Sequence, residues 1–313
     1  MDFLRWIESW RNPFLDAVFS TLTNLGGEVF FIVIALTVFW CMDKKRGYYL
    51  LFTGLFGVLG VQILKMAFRI PRPWVKDPSF TIVESAREGA TGYSFPSGHT
   101  QNATTLYGSL AYSAKRRWLR IGGWVLCLLI AFSRLYLGVH TPLDVGVSLA
   151  LGIAIVLVLR FVMDRSYDTR AGLWYLIGAA VLLSLGNLLF VELFPFPADT
   201  LDAVNYTDAV ALAWELLGMV LALCVAYPLD RHVIRFGTQA VWWAQILKVA
   251  VGLGLMVGLR TLLKAPLNAL LGFRVGDCVR YFLMIVTVAA VVPCFFRYLP
   301  KKAGATQTET GKA

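Results

Sequence analysis

Residues 142–163 read PLDVGVSLALGIAIVLVLRFVM, and this stretch decides the fold class. Its charged residues, Asp144 and Arg160, stand near the ends, and everything between them is apolar or small. About 20 helical residues cross a hydrocarbon core of about 30 Å, so the run has the length of a transmembrane helix. Eight further runs of this kind are expected, at about 26–42, 47–68, 98–114, 119–136, 171–194, 208–228, 237–259 and 281–296. Composition agrees. Of 313 residues, 58% are hydrophobic and 15% charged, with a mean hydropathy of +0.66, whereas a soluble domain carries about a quarter charged residues. The expected fold is all-α, a polytopic membrane helix bundle of about nine transmembrane helices.

The flanking segments read differently. Residues 1–24 lack one clean apolar core, because Arg5, Glu8, Arg11 and Asp16 interrupt them. They read as an interfacial amino-terminal helix, with Phe3, Trp6, Trp10 and Phe14 at helical spacing towards lipid. Residues 301–313 are polar and are expected to be a disordered tail. The five cysteines fall in or beside apolar runs without metal spacing and read as packing residues.

The formal net charge of +10 could point to nucleic acid, but its distribution points to a membrane and to no nucleic acid. Sixteen of the 29 Lys and Arg residues fall on one alternating set of connections, including Lys44–Arg46, Lys115–Arg120 and the carboxyl-terminal tail. By the positive-inside rule that set is cytoplasmic, with the amino terminus outside and the carboxyl terminus inside. The stretch from Arg260 to Arg280 counts against this, holding four cations on the other side.

The reactive residues cluster in the first half. Lys65 and Arg72 are seven apart, two helical turns, with Pro71 and Pro73 ending the helix nearby. An ammonium and a guanidinium converging there suit a phosphate dianion; snorkelling cations at a membrane edge would read the same way. Next, Pro96-Ser97-Gly98-His99 opens a span. Ser97 fits a helix cap, Gly98 admits a ligand close to the backbone, and the helix start is an anion site. His99 would stand beside that anion, or else be a polar residue of the interface. Third, Ser133-Arg134 ends one span and His140-Thr141-Pro142-Leu143-Asp144 opens the next. Asp144 could orient the His140 imidazole, as in a catalytic triad, or serve a helix capped by Thr141 with Pro142 in its first position. A carboxylate has oxygens for both. Nearby Trp74, Tyr93, Phe95 and Tyr136 fit an interfacial belt.

Together Lys65-x6-Arg72-Pro73, Pro96-Ser97-Gly98-His99 and Ser133-Arg134-x5-His140-x3-Asp144 resemble the complete three-part signature of the type 2 phosphatidic acid phosphatase superfamily, over roughly residues 25–163. The resemblance implies a phosphatase core in the first five spans (residues 25–165), followed by additional transmembrane helices (166–300). It implies Lys65, Arg72, Ser97, Gly98 and Arg134 as phosphate ligands, His140 as nucleophile oriented by Asp144, and His99 as general acid, with no metal or other cofactor. The implied activity is hydrolysis of lipid phosphate monoesters through a phosphohistidine intermediate on the non-cytoplasmic side, with a phosphorylated lipid as partner and the oligomeric state open. Alternatives are a phosphotransferase to a lipid acceptor, a phosphatase of a soluble sugar phosphate, and a non-enzymatic transporter or scaffold. The signature is similar to that of vanadate-dependent haloperoxidases too, but those are soluble, and the spans argue against them. In the second half, Glu215 and Lys248 stand inside apolar runs and are expected to pair across spans. Glu28 either contacts the cationic site or begins a helix.

Overall fold

A computed structural model describes residues 1–197 and 202–301, so the expected tail lies, beyond Lys301, outside the described residues. Two short helices come first, α1 (Asp2–Glu8) and α2 (Pro13–Asn24), then α3 (Glu28–Thr37) with a π turn to Met42. They are followed by α4 (Lys44–Phe68), α5 (Pro73–Lys76), α6 (Gly98–Ala103), α7 (Ser109–Ser113), α8 (Arg117–Tyr136) and α9 (Pro142–Ser166). The second half holds α10 (Trp174–Leu193), α11 (Ala203–Pro228), α12 (Trp242–Leu262), α13 (Lys264–Val286) and α14 (Val292–Cys294). The chain is an all-α, polytopic membrane bundle.

Among the described residues seven helices are long and apolar enough to cross a membrane, or eight if α2 and α3 with its π turn, bent by 44°, form one span. The expected ninth, at 98–114, is the difference. There α6 and α7 are joined by a π turn at Thr104–Gly108 into a run too short and polar to qualify. Thr100, Gln101, Thr104, Thr105 and Ser109 are all fully buried, and α8 and α9 pack around this run. Thr104 and Thr105 donate their hydroxyls to the carbonyls of Thr100 and Gln101, at 2.7 and 2.9 Å, which satisfies polar groups where water is scarce. Close approach makes this possible: a Cβ on Gly152 of α9 would lie 2.7 Å from the Thr104 side chain.

The chain divides into two compact units, residues 1–32 with 49–213, and residues 33–48 with 214–313. In the first unit, α8 buries Cys127, Ile130, Ala131 and Arg134, the spacing of one helical face, and exposes Val125, Leu128 and Leu129 on another. The helix is apolar outside as well as inside, as lipid requires. Phe3, Trp6, Trp10 and Phe14 are exposed, while Leu4 and Ile7 of α1 are buried with Phe80, Ala131 and Tyr136. Arg11 donates to the Tyr136 carbonyl at 2.9 Å and the Thr81 carbonyl at 2.7 Å, and Arg5 pairs with Asp77 at 2.8 Å. The amino-terminal segment is therefore fastened to the loop that follows α5. Glu28 is exposed in the first turn of α3, the helix-start position.

In the second unit two expectations fail. Glu215 does not pair with Lys248. It meets Arg280 at 3.2 Å, and Arg280 also binds Asp277 at 2.6 Å and donates to the Arg260 carbonyl at 3.0 Å. Lys248 donates to the carbonyls of Trp40 and Thr238, at 3.3 and 3.1 Å, over the Phe296 ring. Depth explains this. At 1.5 Å per residue, Glu215 lies about 20 Å before the end of α11, while Lys248 lies only about 9 Å into the next helix, α12. The stretch Arg260–Arg280, read as a connection, is largely helical. It kinks at Gly272, whose φ of 76° and ψ of 160° suit a residue without Cβ.

Candidate active site

All the site residues singled out in the sequence lie in the first unit. Helix α4 stops at Phe68, and Arg69 takes a left-handed φ of 47°. Arg72 then caps α5 with an extended backbone, φ −66° and ψ 156°, as expected for a residue before proline. Arg72 is therefore not on the helical face of Lys65. The turn between them, and not helical spacing, brings them together: Lys65 Nζ and Arg72 Nη2 both donate to the Thr91 carbonyl, at 3.3 and 2.6 Å.

Arg72 is buried and held from four directions. Besides Thr91, its Nε donates to the Gly92 carbonyl at 3.1 Å, and its Nη1 donates to the Val139 carbonyl at 3.0 Å and to His140 Nε2 at 3.0 Å. Because a guanidinium only donates, His140 Nε2 is the acceptor, and the proton of the neutral imidazole is on Nδ1. That nitrogen faces Asp144 Oδ2 at 3.5 Å. The first links in the site therefore fix a tautomer with its lone pair at Nε2. His140 lies in the connection between α8 and α9, fully buried. Burial, with the Arg72 charge beside it, holds its imidazole well below the ordinary histidine pKa.

Asp144 forms the expected cap, and its carboxylate also lies beside the His140 imidazole. Thr141 caps α9, accepting from the Asp144 N–H at 3.3 Å, while Asp144 Oδ2 accepts from the Thr141 N–H at 2.7 Å, completing a capping box. The same oxygen accepts from the Ser94 hydroxyl at 2.5 Å and faces the imidazole. Ser97 caps α6, accepting from Thr100 through both its N–H and its hydroxyl. The Ser97 N–H reaches the Asp144 carbonyl at 3.3 Å, which ties the second motif to the third. At Gly98 an added Cβ would meet nothing within 4 Å, so the backbone there is open.

Arg134, in the last turn of α8, is almost fully buried at 1% exposure. Its Nη1 donates to the Thr23 hydroxyl of α2 at 2.7 Å, while Nε and Nη2 are buried with no hydrogen-bond partner among the described residues. His99 is half-buried at the start of α6, within electrostatic reach of Arg134, Arg72 and Lys65. The structure thus gathers three cations, two imidazoles, a carboxylate and a helix start at one place. An anion of high charge fits that set, and Nε2 of His140 can act as a nucleophile towards it.

Sequence reading missed Thr23 and Ser94, and the carbonyls of Thr91, Gly92 and Val139. Ser94 stands three residues before a motif residue; Thr23 carries no signal at all. The aromatic belt needs correction: Tyr93, Phe95 and Tyr136 are buried in the protein. Trp74 is half-buried beneath the guanidiniums of Arg72 and Arg87, each 5.7 Å from its ring.

This arrangement sits inside the region matched by the PAP2 superfamily model, residues 46–168, and the model of the PAP2 superfamily phosphatase transmembrane extension matches residues 214–304. The chain belongs to the PAP2 superfamily. Among PAP2 relatives, it is 31% identical over 237 residues to a probable sphingosine-1-phosphate phosphatase of Dictyostelium discoideum, covering 69% of this chain and 55% of the relative. It is 28% identical over 236 residues to a dihydrosphingosine 1-phosphate phosphatase of Schizosaccharomyces pombe, covering 70% and 54%. It is 31% identical over 153 residues to an undecaprenyl-diphosphatase of Bacillus subtilis, covering 47% and 74%. The chain spans about half the length of the two sphingoid phosphate phosphatases. No solved structure matches it significantly.

Proposed function

We propose that the chain is a membrane phosphatase that hydrolyses lipid phosphate monoesters, with sphingoid-base phosphates the first substrates to test. The observation that carries the reading is the approach of Arg72 to His140 Nε2 at 3.0 Å, with Asp144 behind Nδ1. It puts an oriented, unprotonated nitrogen beside cations whose other partners are mostly backbone carbonyls.

In the proposed reaction the phosphate dianion, a stronger acceptor than an imidazole, draws the Arg72 donor away from Nε2. Lys65, Arg72, Arg134, the Ser97 hydroxyl and the backbone at Gly98 hold the phosphoryl oxygens. Nε2 of His140 then attacks phosphorus in line, the ester P–O bond breaks, and the departing alkoxide takes a proton from His99. The His140 Nδ1 proton turns towards Asp144, which stabilises the charged ring. Water next attacks the phosphoramidate, giving its proton to His99 and releasing phosphate, and His140 is restored. No step requires a metal.

The proposed sidedness has the site and the amino terminus outside and the carboxyl terminus in the cytoplasm. The main objection, the cations between Arg260 and Arg280, weakens because Arg280 is buried against Glu215 and Asp277 and is not a loop charge.

The test uses the purified full chain in detergent with EDTA. A panel of sphingoid-base phosphate, phosphatidate, polyprenyl phosphate and diphosphate, and glucose 6-phosphate is scored for phosphate release. Rapid quenching with labelled substrate should trap an acid-labile, base-stable phosphoprotein that His140→Ala cannot form. Near wild-type hydrolysis by His140→Ala would refute the mechanism. Transfer of label to a lipid without phosphate release would replace hydrolase by phosphotransferase.

A further inference from the structure

Thr23 lies in α2, well before the matched region 46–168, and is 111 residues from the arginine it contacts. We propose that it is a positioning residue for Arg134, and that α2 is thereby part of the phosphate site; the inference rests on the phosphatase reading above.

The argument begins with guanidinium geometry. Its five N–H groups form a rigid planar fork, and the edge carrying Nε and Nη2 matches two oxygens of a phosphate. In Arg134 that edge is the one buried without a partner among the described residues. The remaining nitrogen, Nη1, donates to the Thr23 hydroxyl at 2.7 Å. A hydroxyl is a neutral acceptor, so it fixes the plane of the fork without cancelling its charge. A carboxylate in the same position would hold the fork as well, but would oppose the binding of an anion.

The hydroxyl is itself held in place. Thr23 is 5% exposed, and its carbonyl accepts from the Gly26 N–H at 2.9 Å in the corner after α2. A Cβ on Gly26 would lie 2.6 Å from the Ile130 side chain and 2.9 Å from the His99 carbonyl. The corner is therefore pressed against α8, one turn before Arg134, and against the start of α6, where His99 stands. One short helix sets the position of an anion ligand relative to the second imidazole.

The experiment compares Thr23→Val, which keeps the shape and removes the hydroxyl, with Thr23→Ser, which keeps the hydroxyl. Orthovanadate binding to the purified full chain is measured directly, alongside kcat and KM for the best substrate of the panel. Loss of one charge-assisted contact predicts vanadate binding and kcat/KM weakened about tenfold in Thr23→Val. Thr23→Ser should stay within about twofold of wild type, and Thr23→Val should add nothing in an Arg134→Lys background. Wild-type behaviour of Thr23→Val, equal losses in both variants, or additivity with Arg134→Lys would overturn the role. If Thr23→Val does not accumulate as a folded protein, Thr23→Ala takes its place with the same expectation. A wild-type chain that neither binds vanadate nor hydrolyses any ester would overturn the phosphatase reading and the role of Thr23 together.

Discussion

Asp144→Asn separates the two jobs that one oxygen performs. Oδ2 completes the capping box of α9 at 2.7 Å from the Thr141 N–H, takes the Ser94 hydroxyl at 2.5 Å, and faces His140 Nδ1 at 3.5 Å. Asparagine keeps a carbonyl oxygen for the first two contacts, so stability should fall by less than about 1 kcal/mol, the scale of a weakened cap. The third contact changes in kind. When His140 takes up phosphorus its ring becomes cationic, and the carboxylate contact becomes a charge-assisted hydrogen bond worth about 1.5–3 kcal/mol. At about 1.4 kcal/mol per tenfold, that is a loss of roughly ten- to a hundredfold in kcat. Asparagine does not remove the nucleophile, so the loss should remain well short of that in His140→Ala. The assay is steady-state hydrolysis beside thermal unfolding in the same detergent. A kcat within about threefold of wild type would refute the orienting role. A large fall in unfolding temperature with an equally large fall in activity would mean that the cap is what matters.

Two further substitutions probe other parts of the chain. Gly98→Ala should leave unfolding unchanged, because its Cβ would meet nothing within 4 Å, yet lower kcat/KM at least about tenfold by standing where the phosphate approaches the α6 backbone; full activity would dismiss the Gly98 contact. Arg280→Met leaves Glu215 and Asp277 buried without their cation and should cost about 3–5 kcal/mol in stability, read by thermal unfolding. Adding Glu215→Gln and Asp277→Asn should recover most of it, and an unchanged single variant would contradict the clamp.

Much of this was legible in the chain. The apolar runs gave the helices, since a lipid-facing helix must be apolar over its whole length and little else in a sequence looks like that. The helix starts at Ser97 and at Thr141-Pro142 were legible because capping is local chemistry, written within four residues. The run at 98–114, expected as one more span, is shorter and more polar than the others and is buried against α8 and α9, a setting that only its neighbours in space could reveal. The Glu215–Lys248 pairing failed for a related reason: two charges in adjacent spans need equal depth, and depth depends on where each helix ends. Thr23 was illegible because a single hydroxyl in an amphipathic segment has no pattern. Its partner was visible as a charge that had to be satisfied somewhere, while the satisfying group lay 111 residues away.

The partners of the buried cations distinguish binding from bracing. Arg280 is neutralised by Asp277 and Glu215, and Lys44 by Asp230 at 2.8 Å. Cations paired in this way hold helices and have little field left for a ligand. In the candidate site Lys65 and Arg72 lean on the carbonyls of Thr91, Gly92 and Val139, and Arg134 leans on a hydroxyl. These acceptors take hydrogen bonds from each cation but do not cancel its charge, and two nitrogens of Arg134 remain without a partner among the described residues. Lys248 also rests on carbonyls, but among the described residues no second cation shares them, and the face of Phe296 lies beneath it. Among the described residues the carboxylate close to the site cations is Asp144, and its Oδ2 is already engaged by Ser94 and Thr141 and turned to an imidazole. A surplus of positive charge therefore converges on one buried place beside His140. Such a surplus is costly in a low-dielectric interior unless a ligand of opposite charge is part of the design, and a phosphate dianion offsets most of it while presenting phosphorus to Nε2.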